Sequence, residues 1–178
     1  MIMKLLLVIT IISILTPLSA VGQLNPASEN ERTLLHKQEI IDLMIQTGRM
    51  PVQEQNEKID RIWANNGGSE TPRSDFLYCS GLAYLDHYKA QACLGRAFEK
   101  GQGIVQDYSD AYVWYAVALD HPIEDKAARE EIQAGKDRVK MILVSVYPAP
   151  SDFELEELVK KQKENIAQYQ EEIRNTGK

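Results

Sequence analysis

Between Ala90 and Ala118, small residues recur at positions that fix how closely two helices can approach and where the chain must turn. Ala90, Leu94, Ala97 and Phe98 fall on one stripe at helical spacing. Gly95 beside them leaves room for a neighbouring helix. Gly101 and Gly103 permit the positive-φ turns that end one helix and reverse the chain. Asp107 is placed to cap a second helix through its side-chain oxygen, and Ala111, Trp114 and Ala118 alternate small, large, small toward the first. The segment predicts a helical hairpin, with helices from about Lys89 to Lys100 and from beyond Asp107 to about Asp120.

The rest of the chain has no sustained strand-type alternation, so the expected class is all-α. Leu34, Ile41, Met44 and Ile45 share one face of a first helix, closed at Gly48. Pro51 opens a second, with Val52, Ile59, Ile62 and Trp63 at helical spacing. Thr71-Pro72 reads as an N-cap with proline in the first turn, starting a helix through Tyr84. Ala128, Ile132, Gly135, Val139 and Ile142 mark another. Ser151 and Glu154 form a capping box for a long polar helix, roughly Asp152 to Asn175, with Leu155, Val159, Ile166, Tyr169 and Ile173 on one stripe. A coiled coil with a partner is the alternative use of that stripe.

An internal echo points to repetition. Leu-Asp-His occurs at 85–87 and again at 119–121, and Lys-Ala follows at 89–90 and 126–127, giving offsets of 34 and 37 residues. A period of that size is one helical-hairpin repeat of an α-solenoid. Ala90-Gln91-x-x-Leu94-Gly95-x-x-Phe98-x-x-Gly101-x-Gly103-x-x-x-Asp107-x-x-x-Ala111-x-x-Trp114-x-x-x-Ala118 resembles a Sel-1-like repeat, a relative of the tetratricopeptide solenoids. The resemblance covers residues 90 to about 125. The flanks 71–89 and 124–145 match only as partial repeats, and Phe98 stands where the family commonly has Tyr. It implies a short right-handed α-solenoid of antiparallel helix pairs, with flanking capping helices, that acts as a protein–protein adaptor. The expected organisation is a signal peptide over 1–22, a helical region over 23–70, the repeat region over 71–145 and a C-terminal capping helix within 146–178.

The signal peptide rests on Lys4, the apolar run from Leu5 to Leu15, and the small residues Ser19, Ala20 and Gly22. Thr10, Ser13 and Thr16 break a run already short of the roughly 20 residues of a span. Export to a periplasm or to the medium is expected, with cleavage after Ala20 or Gly22 and no stable membrane anchor afterwards. Removing 1–22 takes away only Lys4, so 20 basic residues against 26 acidic become 19 against 26, a formal −7. Such a chain, without a basic stripe, is a poor ligand for nucleic acid.

Cys79 and Cys93, the only cysteines, lie seven residues either side of Asp86 in the expected turn. Equal distances from a hairpin turn bring antiparallel helices level, and export favours oxidation. A disulfide is expected, worth about 3 kcal/mol by loop entropy; two buried free thiols are the alternative.

Catalytic chemistry is sparse. His36, His87 and His121 are dispersed, and there is no His-Glu-x-x-His, Cys-x-x-Cys, phosphate-cradling lysine or serine-nucleophile motif. The acid pairs Glu130/Glu131 and Glu156/Glu157 point apart around a helix. The expectation is a non-enzymatic module without metal or cofactor that binds a protein or peptide. Arg96, Glu99 and Lys100, projecting from the first helix, and Tyr112 or Tyr115, reaching a groove, are the candidate partner contacts. A hydrolase assembled from distant carboxylates, and a structural protein that oligomerises through its last helix, are the rival readings.

Overall fold

A computed structural model describes residues 26–65, 69–145 and 149–176. The described residues are helical: α1 (Pro26–Gly48), α2 (Val52–Ala64), α3 (Pro72–Tyr84), α4 (Tyr88–Lys100), α5 (Tyr108–Leu119), α6 (Lys126–Ser145) and α7 (Asp152–Thr176). The all-α class expected from the sequence is therefore present. The signal peptide expected over 1–22 lies outside the described residues. None of the described helices is long and apolar enough to cross a membrane. The chain divides into two units, Met1–Leu34 and Leu35–Lys178, and the hydrophobic core described here belongs to the second.

Local chemistry accounts for the boundaries. His87 Nδ1 accepts from Ala90 N at the start of α4. Gly101 ends that helix with φ +68, a left-handed conformation that glycine adopts without a Cβ penalty. Gly103 follows at φ +74, and a Cβ there would drive into the Pro72 carbonyl, so the 101–107 loop lies flat on the start of α3. Asp107 Oδ1 accepts from Ser109 N and Asp110 N at 2.8 and 3.0 Å, capping α5. The Ser151–Glu154 capping box forms as expected: Ser151 N donates to Glu154 Oε2 at 2.7 Å, and Glu154 N to Ser151 Oγ at 3.2 Å.

α4 and α5 make the most extensive helix contact, followed by α5 with α6 and α3 with α4. Gly95 faces Tyr115, while Asp107 N donates to Phe98 O, so later residues of α5 lie beside earlier residues of α4. The two helices are antiparallel. Trp114 and Leu94 are buried in one cluster, with Phe76, Leu82, Cys93 and Val113. A second cluster joins Ala111, Tyr115 and Ala118 to Ile132, Val139 and Leu155.

Two stripes are rotated from their expected positions. In α1 the buried residues are Ile40, Met44 and Thr47, with Ile41 and Ile45 at the edge. In α6 the stripe ends on Leu143, with Ile142 half-buried.

Candidate functional site

The expected partner contacts are where the structure departs most from the sequence reading. Arg96 and Glu99 do not project from α4: they are 7% and 8% exposed. α4 is touched by α2, α3, α5 and α6, so little of its circumference is left to solvent. Lys100, at the last turn, is exposed. Tyr112 and Tyr115 are buried together with Trp114, because α4, α6 and α7 surround α5. A helix apolar all round is a core helix, and this aromatic run packs on every side.

Four of these candidates nevertheless meet. Arg96, Glu99, Lys100 and Tyr115 line one polar cleft of about 310 Å3 with Trp63, Glu131 and Arg138. The Arg96 guanidinium lies 3.9 Å from the centroid of the Trp63 ring. It donates at 2.7 Å to Trp63 O and at 2.7 Å to Glu131 Oε1. Glu99 accepts from Arg138 Nε at 2.6 Å and Nη2 at 2.9 Å, and from the Tyr115 hydroxyl at 2.7 Å. Burial alone would raise the Glu99 carboxyl; the hydrogen bonds from Arg138 and Tyr115 outweigh it and hold the group below the usual range. Burial, then the bond to Glu99, push the Tyr115 phenol up. Trp63, Glu131 and Arg138 were missed in the sequence. The signal available was spacing: Arg96 to Glu131 is 35 residues and Glu99 to Arg138 is 39, close to the repeat period.

The repeat-motif residues sit where packing needs them. Ala90, Leu94, Ala111 and Ala118 are buried, and Phe98 meets Phe76 edge-on at 5.7 Å. Gln91, fully buried, donates from Nε2 to Ala83 O at 3.3 Å and to Asp86 Oδ1 at 3.1 Å, clamping the turn between α3 and α4. Asp86 in that turn has φ +71 and lies 3.2 Å from His121 Nε2.

The turn also brings Cys79 and Cys93 together, and a hydrogen bond links them. The expected bridge is not closed in this structure: both are free, buried thiols. The bond to Cys93, with burial, pushes the Cys79 thiol well up, which keeps it protonated and a poor nucleophile.

A second cleft, of about 230 Å3, opens among α1, α3, α4, α5 and α7. Phe76, Leu77, Leu94, Phe98 and Trp114 form its apolar wall, and Glu39, Arg73, Ser80, Asp110, Tyr84 and Gln162 its polar points. Burial pushes the Tyr84 phenol up to about 12, tempered by the approach of the Gln162 amide. Burial and the neighbouring Asp107 raise the Asp110 carboxyl, although its residue surface is exposed, so it sits on the rim. No group of three or more His, Cys, Asp or Glu placed to hold a metal occurs among the described residues.

Comparison of the chain with family models, with curated proteins and with solved structures finds no match.

Proposed function

We propose that the chain is an exported, non-catalytic protein- or peptide-binding module of the Sel-1-like type, working in a periplasm or outside the cell. Its form is a short right-handed α-solenoid of antiparallel helix pairs, capped by its end helices. The observation that carries this reading is a set of side-chain contacts among α2 to α6 and their turns that recur at about one repeat length, with α7 outside the set because it folds back on α3 and α5. His87 meets Asn56 at 3.1 Å and Lys89 meets Asp60 at 2.6 Å. Arg96 reaches Trp63 O and Glu131, Asp86 meets His121, and Arg138 meets Glu99. Each joins residues 29 to 39 positions apart. In a solenoid every hairpin touches only its neighbours, so contacts accumulate at one repeat length.

The Asp86–His121 contact supports the same reading from the sequence side. The echoed Leu-Asp-His turns, 34 residues apart, lie against each other. The polar cleft's ionic groups are engaged with one another, as in a scaffold that fixes helix register.

The test is proximity labelling in the native compartment, followed by binding measurements on the purified candidate with the mature chain. A saturable interaction with one protein is expected. Labelling that yields no partner with saturable binding overturns the proposal.

One observation favours a second reading, a hydrolase working through carboxylates: the raised Asp110 carboxyl on the rim of a cleft that also holds Glu39. Against it, Glu39 is drawn to Arg73 at 4.0 Å, and Asp110 is open to water. Turnover of a glycoside or peptide panel that is lost in Asp110→Asn would establish that reading.

A further inference from the structure

We infer that the cleft among α1, α3, α4, α5 and α7 receives one large apolar side chain of a partner peptide, with a basic residue next to it in that peptide meeting Asp110 and Glu39. This rests on the protein-binding reading and specifies the surface and the partner's chemistry.

Size is the first argument. At about 230 Å3 the cleft falls below the roughly 300–1,000 Å3 of pockets that enclose a small molecule. It matches a single bulky residue and its peptide group. Its apolar lining comes from Leu77, Leu94 and the rings of Phe76, Phe98 and Trp114. A pre-formed pocket that desolvates one anchor is where peptide and protein interfaces concentrate their energy.

Gln162 supplies direction. Gln162 Nε2 is buried without a hydrogen-bond partner, and its approach to Tyr84 would occupy at most one of the amide's two N–H groups. A buried donor left unmade is costly, and a peptide carbonyl toward which the Gln162 amide turns would satisfy it. Phosphates and other anions would satisfy it too, but Arg73, the one cation among the lining residues, is already drawn to Glu39, which leaves the Asp110 charge facing them.

The rim selects charge. The Asp110 carboxylate makes no ion pair or side-chain hydrogen bond with the described residues. Glu39 is exposed and held only by the 4.0 Å approach of Arg73. Burial and Asp107 raise the Asp110 carboxyl, so an incoming cation is the partner that stabilises its charged form. A chain of formal charge −6 attracts basic segments at longer range as well.

The test uses the mature chain and the blocked peptide acetyl-Ala-Phe-Lys-Ala-amide, titrated while the Gln162 side-chain amide and Trp114 indole resonances are followed by NMR. Saturable shifts of both are expected. Replacing the peptide's Phe by Ala should abolish them, and replacing its Lys by Glu should weaken binding by about tenfold. Asp110→Asn should bring the Lys and Glu peptides to within about twofold of each other without lowering the melting temperature. Resonances that stay still at saturating peptide, or that move equally with the Ala peptide, overturn the assignment. A labelled partner that binds saturably while these resonances stay still overturns it too, and leaves the adaptor reading standing.

Discussion

Tyr115 lies over Gly135 so closely that a Cβ on Gly135 would stand 2.7 Å from the ring's Cζ. On the other side, a Cβ on Gly95 would stand 2.7 Å from Cδ1 of the same ring. The tyrosine of α5 is thus held in a slot between glycines of α4 and α6, with its hydroxyl directed to Glu99.

That slot makes Gly135→Ala an overpacking substitution at a rigid ring, expected to cost about 1–3 kcal/mol. Gly95→Ala should cost a similar amount. Replacing Tyr115 by Leu in either background should recover part of the loss, because the clash is with the ring. Urea unfolding of the single and double variants measures it, and additive losses would show that the ring is not the obstacle.

The Glu99 carboxyl gives a pH signature that depends on Arg138. Its folded pKa lies below the ordinary glutamate value, so it contributes stability that is present above the unfolded pKa and lost as pH falls through the folded value. Arg138→Ala removes the main opposing influence and leaves the Tyr115 bond and Lys100 against burial, so the folded pKa should rise toward the unfolded one. The stability that Glu99 contributes at higher pH is then largely lost. Thermal unfolding between about pH 3 and pH 7 should show the Arg138→Ala penalty growing with pH. A penalty that is flat across the range would mean Glu99 is solvated without its arginine.

Arg96 reads stability, not partner contact. Arg96→Glu sets a carboxylate in a position 7% exposed, beside the half-exposed Glu131, and a buried charge left without a partner costs about 3–5 kcal/mol. The exposed Arg129 of α6 tolerates the same change within about 0.5 kcal/mol. Circular dichroism melts of the two variants should differ widely; equal melts would place Arg96 outside the core network.

The hairpins were readable because their signals are local. Gly101, Asp107, Ser151 and the 34-residue echo each act within a few residues of themselves. The solvent boundary was not readable, because burial of Arg96, Glu99 and Tyr112 depends on how many helices surround α4 and α5, and periodicity reports only one face at a time. The apolar cleft is further from view: Glu39, Asp110 and Gln162 come from three helices spread over 124 positions of sequence. Their convergence depends on α7 folding back beside α3 and α5.

The Cys79–Cys93 pair separates redox state from reactivity. A thiol raised by its neighbour and by burial should react slowly with iodoacetamide in the folded chain and quickly in denaturant. Export would supply a disulfide-class oxidant that accepts the two thiol protons and electrons, and the sulfurs are already neighbours. Intact mass of the exported chain should then be lower by two hydrogens, with a mobility shift between reducing and non-reducing gels. Unshifted mass and mobility would leave the pair as core thiols.

α7 offers the sharpest test of whether the last helix caps the stack or joins a second copy. Leu155 is 1% exposed and Ile166 5%, and Gln170 Nε2 donates to Tyr84 O at 3.1 Å. Its apolar stripe is thus spent on the chain's own core. Phe153 and Leu158 lie on the helix at 70% and 42% exposure. Leu155→Ala should cost about 2–5 kcal/mol, while Phe153→Lys should stay within about 0.5 kcal/mol and leave the sedimentation coefficient unchanged. A dimer that dissociates in Phe153→Lys would assign the outer face of α7 to self-association, and the capping role would then account for only one side of the helix.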